Sequence, residues 1–314
     1  MPKAVLKQRL GRARGHHLRI QARTLAQGMH SGAHRAERKG SGVEFAGHRE
    51  YIPGDDLRHL DRHALLRHGK LLIRQFHTDT ERPVHLIVDV TRSMHYKSAR
   101  RAKVESDSGE TKVSRALLLA ATMGFVAHLS GDAIGLTFVS DSDNATTLLP
   151  RGGKPAFEQI LALLTEMDES QSASNAHVTR APWEATFDLL GTRLKRGTVI
   201  LVLSDFLDFD RERSRRLAAL CTRGRTVRAV QVLTRDEVDF PFDGALSLLD
   251  PETHKQVETN AGAVRLMYQE RLEALTSEVH NQLTRQGGAF ARSLTDAREE
   301  ETLLFLAGDQ RRGA

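Results

Sequence analysis

The sequence predicts an α/β fold: a doubly wound, mostly parallel sheet with helices on both faces and a small N-terminal subdomain. Two observations carry this. VHLIVDV (84–90) and TVILVLS (198–204) are continuous apolar runs, as strands covered on both faces require. Around them, short β-favouring runs alternate with helical ones, the pattern of parallel strands joined by crossover helices. No internal repeat or low-complexity tract competes with that reading.

In chain order, residues 1–40 are basic and interrupted by Gly11 and Gly15. They are expected to form a basic N-terminal arm with one short helix. Residues 41–80 are expected to be a subdomain packed on the sheet. There Pro53, Gly54 and Asp55 make a turn, Asp55 or Asp56 caps a short helix, and KLLIRQF (70–76) is a strand. The sheet domain spans 81–314. After VHLIVDV comes a polar charge run, ARRAKVESDSGE (99–110), expected as a solvated loop. KVSRALLLAATMGFVAHLS (112–130) is a helix ended by Gly131. AIGLTFVSD and TTLLP are strands, and PAFEQILALLTEM is a helix. PWEATFDLLGTRLK is another helix, with Pro182 in its first turn. TVILVLSD, TVRAVQVLT, ALSLLD and AFARSLTD are further strands. DRERSRRLAALCTR, residues 261–286 and REEETLLFLAGDQ are further helices.

Composition narrows the function. The chain has 314 residues, 39% of them hydrophobic but only 5% aromatic, so the core must be mostly aliphatic. A single cysteine, Cys221, rules out an internal disulfide and a thiolate metal cluster. No apolar stretch is expected to reach the length of a bilayer, and the N-terminus lacks a signal-peptide core, so a cytoplasmic location is expected. The net charge of +6 attracts acidic partners, and an Arg-rich arm could bind nucleic acid. Such charge is non-specific, so nucleic acid ranks low.

The chemistry gathers at two strand ends. In open α/β sheets ligands bind beyond the carboxyl ends of the strands. One central strand ends at Asp89, followed by Thr91 and Ser93; the other ends at Ser204 and Asp205. If the strands are neighbours, two carboxylates and several hydroxyls meet. Such a set suits a small hard cation, Mg²⁺ or Mn²⁺, which takes oxygen ligands. Hydroxyls balance little of the ion's charge, so an anionic group from outside is favoured as a further ligand. The competing reading has both acids merely capping helices.

DVTRSM (89–94) resembles the DxSxS motif of the metal-ion-dependent adhesion site in von Willebrand factor A domains. The blocks GSGVEFAGHREYIPGDDLRHLD, LLRHGKLLIRQF, DVTRSM and LSDFLD together resemble a prokaryotic A-like family associated with MoxR-type AAA+ ATPases. The likeness runs from about Gly40 to the C-terminal helix. It implies a von Willebrand factor A-like, Rossmann-like fold. It also implies a non-enzymatic, metal-dependent protein-binding module, an adaptor or co-chaperone for a MoxR-type ATPase. Asp89, Thr91 and Ser93 would then be first-loop ligands and Asp205 the third-loop acid. A client's acidic side chain would complete the metal site. The family's middle-loop threonine would be Thr179, although the usual flanking Gly and Asp are missing. Thr91 stands where the motif has Ser, and Arg62 where the family often has Trp. These departures predict weak metal binding or none.

Two other clusters have blander readings. Glu44, Arg49, Tyr51, Asp55, Asp56, Arg58 and Asp61 read as a salt-bridged subdomain rather than a docking surface. His59 and His63 share a helix face but lack HExxH and a third ligand. A metal-dependent phosphohydrolase with Asp89 as nucleophile is the rival enzyme reading. It lacks the second acid, since position 91 is Thr, and no lysine stands out as a charge stabiliser at a strand end. No GxSxG elbow or phosphate loop is present.

Overall fold

The computed structural model describes residues 15–29, 44–51, 61, 69, 71–77, 82–96, 111–140, 147–170, 182–249 and 256–308. The chain divides into two compact units, residues 30–81 and a larger one of 1–29 with 82–314. Helix α1 (residues 15–29) belongs to the larger unit. The short helix expected within the basic arm therefore contributes to the core. Leu18, Ala22 and Ala26, one turn apart on one helical face, are buried. Arg19 Nε donates to Thr165 Oγ1 at 3.2 Å.

The smaller unit contains an antiparallel pair, β1 (Glu44–Glu50) and β2 (Leu72–His77), with Glu44 opposite His77. Strand β2 is the one expected from KLLIRQF; β1 lacks a regular apolar alternation and was not expected. The Asp61 amide donates to Leu72 O at 2.8 Å. Asp55, Asp56, Arg58, His59, Arg62 and His63 lie outside the described residues.

The larger unit continues with β3 (Val84–Asp89), a 3-10 turn (Arg92–His95), α2 (Lys112–Leu129), β4 (Ile134–Val139), β5 (Thr147–Arg151) and α3 (Lys154–Ser170). Then come α4 (Trp183–Arg193), β6 (Val199–Ser204), α5 (Arg211–Ala219), β7 (Thr226–Leu233), α6 (Arg235–Asp239), β8 (Ala245–Leu249), β9 (Gln256–Asn260), α7 (Ala261–Arg285), β10 (Ala289–Leu294) and α8 (Glu299–Ala307). The central sheet has the order β10-β7-β6-β3-β4-β5, parallel throughout except for β5. Strand β9 and the short helix α6 were not expected, being too polar and too brief for a periodic signal. Pro182 is the N-cap of α4, one position before the expected first turn.

Successive strand residues feed opposite faces. Leu86, Val88, Leu201 and Leu203 pack with side chains of α1, α2, α3 and α8. Ile87, Ile200 and Val202 pack with α4, α5 and α7. This is why the central strands are apolar without alternation. The expectation that no stretch is long enough for a membrane is corrected by α2. Its 18 residues, with mean hydropathy 1.2, could cross one by length and composition. Here 72% of that window is buried within the protein, its apolar side chains packed against the sheet and neighbouring helices.

Candidate functional site

Strands β3 and β6 are parallel neighbours, with Val88 opposite Leu203, so Asp89 and Ser204 end side by side. Chain order runs outward from this pair in both directions, to β4 and β5 on one side and to β7 and β10 on the other. The crevice at such a switch point is where open α/β sheets bind ligands.

The Asp89 carboxylate is fully buried. Its Oδ1 accepts from the Thr91 amide at 2.9 Å and from Thr91 Oγ1 at 2.7 Å. Its Oδ2 accepts from Ser204 Oγ at 2.5 Å. Thr91 Oγ1 lies 3.2 Å from Ser93 Oγ. The loop after Asp89 turns at once. Thr91 is extended at φ −61 and ψ 166, and the 3-10 turn that follows brings Ser93 back to it.

Asp205 is also buried. Its Oδ1 accepts from the Leu207 amide at 3.1 Å, and its backbone oxygen accepts from Gln231 Nε2 at 3.1 Å. Its Oδ2 receives the Lys112 ammonium at 2.8 Å. Lys112 is buried at the first turn of α2 and also donates to Glu237 Oε1 at 2.6 Å. Glu237 is fixed in turn, because its Oε2 accepts from the Thr234 amide at 2.8 Å within a capping box. Phe206 follows in a left-handed conformation at φ 56, its ring 4.9 Å from Phe209 and 6.0 Å from Phe290.

The electrostatics follow from burial. Loss of water pushes the Asp89 carboxyl up to about 7, and the Asp205 charge adds to this; hydrogen bonds from Ser204 and Thr91 oppose it. Burial alone would lower the Lys112 ammonium, but Asp205 and Glu237 hold it above the ordinary lysine value. The Tyr268 phenol is raised to about 12 by burial and then by Glu237. Tyr96 is raised by burial, then by Asp236 and Glu237.

Four of the five expected ligands are described: Asp89, Thr91 and Ser93 in one hydrogen-bonded set, and Asp205 beside it, tied to lysine. Thr179 lies outside the described residues. Sequence reasoning missed Lys112 and Glu237. Lys112 opens an apolar helix and reads as a solvated end, and Glu237 sits in a helix too short to register. The only signal was T-R-D-E at 234–237, a capping-box spacing.

Among the described residues, no group of three His, Cys, Asp or Glu side chains is placed to hold a metal. What could hold one is the mixed set of Asp89, Thr91, Ser93 and Ser204. Neighbouring ligands around octahedral magnesium lie about 3.0 Å apart. The 2.7 Å and 3.2 Å oxygen separations at Thr91 bracket that value. The donor chemistry therefore fits a hard cation, and a cation would offset the repulsion between Asp89 and Asp205.

Residues 47–278 match the model of a family described as "Protein of unknown function DUF58". The uncharacterized proteins Rv1480 of Mycobacterium tuberculosis and Mb1516 of Mycobacterium bovis are each 25% identical over 236 residues. That alignment covers 75% of this chain and 69% of theirs. A solved structure of BatB from Bacteroides thetaiotaomicron is 13% identical, with a TM-score of 0.42, covering 71% of this chain and 96% of that one.

Proposed function

We propose that this chain, which belongs to the DUF58 family of proteins of unknown function, is a non-enzymatic, metal-dependent protein-binding module with a von Willebrand factor A-like fold. The observation that carries this is the oxygen set of buried Asp89, Thr91 and Ser204 with half-buried Ser93 at the switch point between β3 and β6. Asp89, Thr91 and Ser93 would hold Mg²⁺ or Mn²⁺, with Asp205 as the second acid. The ion's part is to offer an acidic side chain of a partner an open coordination position. The protein's part is to fix the oxygens and keep them dry. The sequence resemblance adds a MoxR-type AAA+ ATPase as the partner machine and an adaptor role in the cytoplasm.

Thermal unfolding with Mg²⁺, Mn²⁺ or EDTA tests the metal. The wild-type midpoint should rise with either ion and the Asp89→Ala midpoint should not. Pull-down of a co-expressed MoxR-type ATPase tests the adaptor role. Full-strength capture by folded Asp89→Ala, in magnesium, would sink it.

One observation favours a second reading, a phosphohydrolase with Asp89 as nucleophile. Lys112 supplies the charge stabiliser that the sequence did not reveal, 2.8 Å from Asp205. Against it, Asp89 is fully buried and both its oxygens accept hydrogen bonds. Turnover of an aryl phosphate with Mg²⁺, lost in Asp89→Asn, would promote this reading.

A further inference from the structure

We propose that Lys112 is an internal competitor for the metal, a tethered ammonium that holds Asp205 whenever the ion is absent. The proposal rests on the metal-binding reading above and adds a control element to it. Its basis is geometric. Lys112 Nζ is shared between two carboxylates, Asp205 at 2.8 Å and Glu237 at 2.6 Å. The ammonium is fully buried, Asp205 almost so, and Glu237 is 11% exposed.

A buried lysine needs a carboxylate partner, because an uncompensated charge in the interior is costly. Among the described residues this lysine has two. Glu237 does not depend on Lys112 for its place, since its other oxygen is fastened to the Thr234 amide and hydroxyl. Lys112 can therefore give up Asp205 and remain paired. A divalent ion approaching Asp205 repels the ammonium towards Glu237, to which it is already bonded. No large movement is needed.

Two opposite consequences follow. Without Lys112, Asp205 is free for the ion, and metal binds more tightly. Without the Glu237 carboxylate, Lys112 has only Asp205, and metal binds more weakly. A lysine that served only to hold the fold would weaken binding on removal, or leave it unchanged.

The test is Mn²⁺ titration of the full chain, with free ion followed by electron paramagnetic resonance and folding checked by circular dichroism. Lys112→Gln should bind Mn²⁺ about tenfold more tightly than wild type, as expected for removal of a nearby buried charge. Glu237→Gln should bind several-fold more weakly. The double variant should resemble Lys112→Gln, because Glu237 acts through the lysine. Folded Lys112→Gln binding no tighter than wild type overturns the proposal and leaves the metal reading standing. Absence of binding in wild type and in every folded variant overturns both. If Lys112→Gln does not fold, Glu237→Gln decides, and wild-type affinity in that variant overturns the proposal.

Discussion

Two buried polar side chains on β3, four residues apart, meet the loss of water in different ways. His85 lies mid-strand and Asp89 at the carboxyl end, and both are fully buried. His85 becomes neutral, because burial pushes its imidazole down to about 3. It keeps one hydrogen-bonded neighbour, Thr137 Oγ1 at 2.9 Å, which in turn donates to Thr147 Oγ1 at 3.0 Å. Among the described residues its Nδ1 has no hydrogen-bond partner. Asp89 is instead surrounded by donors, from Thr91 and Ser204, and has a second carboxylate within range. Mid-sheet, a polar group is tolerated by losing its charge. At the strand end burial again favours the neutral form, but loops and helix starts bring polar groups of several elements together, and the hydrogen bonds from Ser204 and Thr91 oppose that push.

The strongest way to break the His85 arrangement is Gly135→Ala. A Cβ there would meet His85 Nδ1, Leu148 O at 2.6 Å and Pro150 Cδ at 2.8 Å. Overpacking of this kind should cost about 3 kcal/mol in urea unfolding. A near-neutral result would mean that β4 and β5 can part locally.

At the other position, Asp89→Asn should abolish the metal-dependent gain in stability. That gain is about 2.7 kcal/mol at a hundredfold excess of ion over Kd. Calorimetric melting with and without Mn²⁺ measures it, and an undiminished gain would place the ion elsewhere.

The pH dependence sharpens the contrast. The His85 value in the folded chain lies below its ordinary 6.5. As pH falls below 6.5 the unfolded chain takes up the proton first, so stability is lost progressively until about pH 3. The limiting slope is about 1.4 kcal/mol per pH unit. Stability curves from pH 7 to 5 should therefore be steeper for wild type than for His85→Gln. Parallel curves would show that this imidazole does not stay neutral.

The smallest effect belongs to Thr91→Ser. It keeps the hydroxyl and removes one largely buried methyl, worth about 0.8 kcal/mol or less. The metal-induced rise in midpoint should survive unchanged, and its loss would assign the methyl a part in shaping the loop.

Most of the central sheet was legible because its strands are covered on both sides. VHLIVD and TVILVLS are mostly apolar on both faces, so their depth and end points stand out, and with them Asp89 and Asp205. The hydroxyls of Thr91 and Ser93 followed from spacing, and a 3-10 turn brings them together. Lys112 and Glu237 were not legible, because their roles depend on where the start of α2 and the capping box of α6 lie in space. The two are 125 positions apart in the chain. Ser204 was legible as a strand-end hydroxyl, but its direct bond to Asp89 depends on the register of β3 and β6. One short helix was expected within the basic residues 1–40, but its buried face, made of Leu18 and two alanines, is too weak a stripe to register as core.

The left-handed backbone at Phe206 has a consequence for thermodynamics. A bulky residue at φ 56 is strained by about 1–3 kcal/mol, and the surrounding aromatic rings hold it there. The loop carrying Asp205 is thus shaped by the core and not by whatever binds to it. A ligand would meet a rigid surface, lose little entropy to loop ordering, and associate without a slow conformational phase.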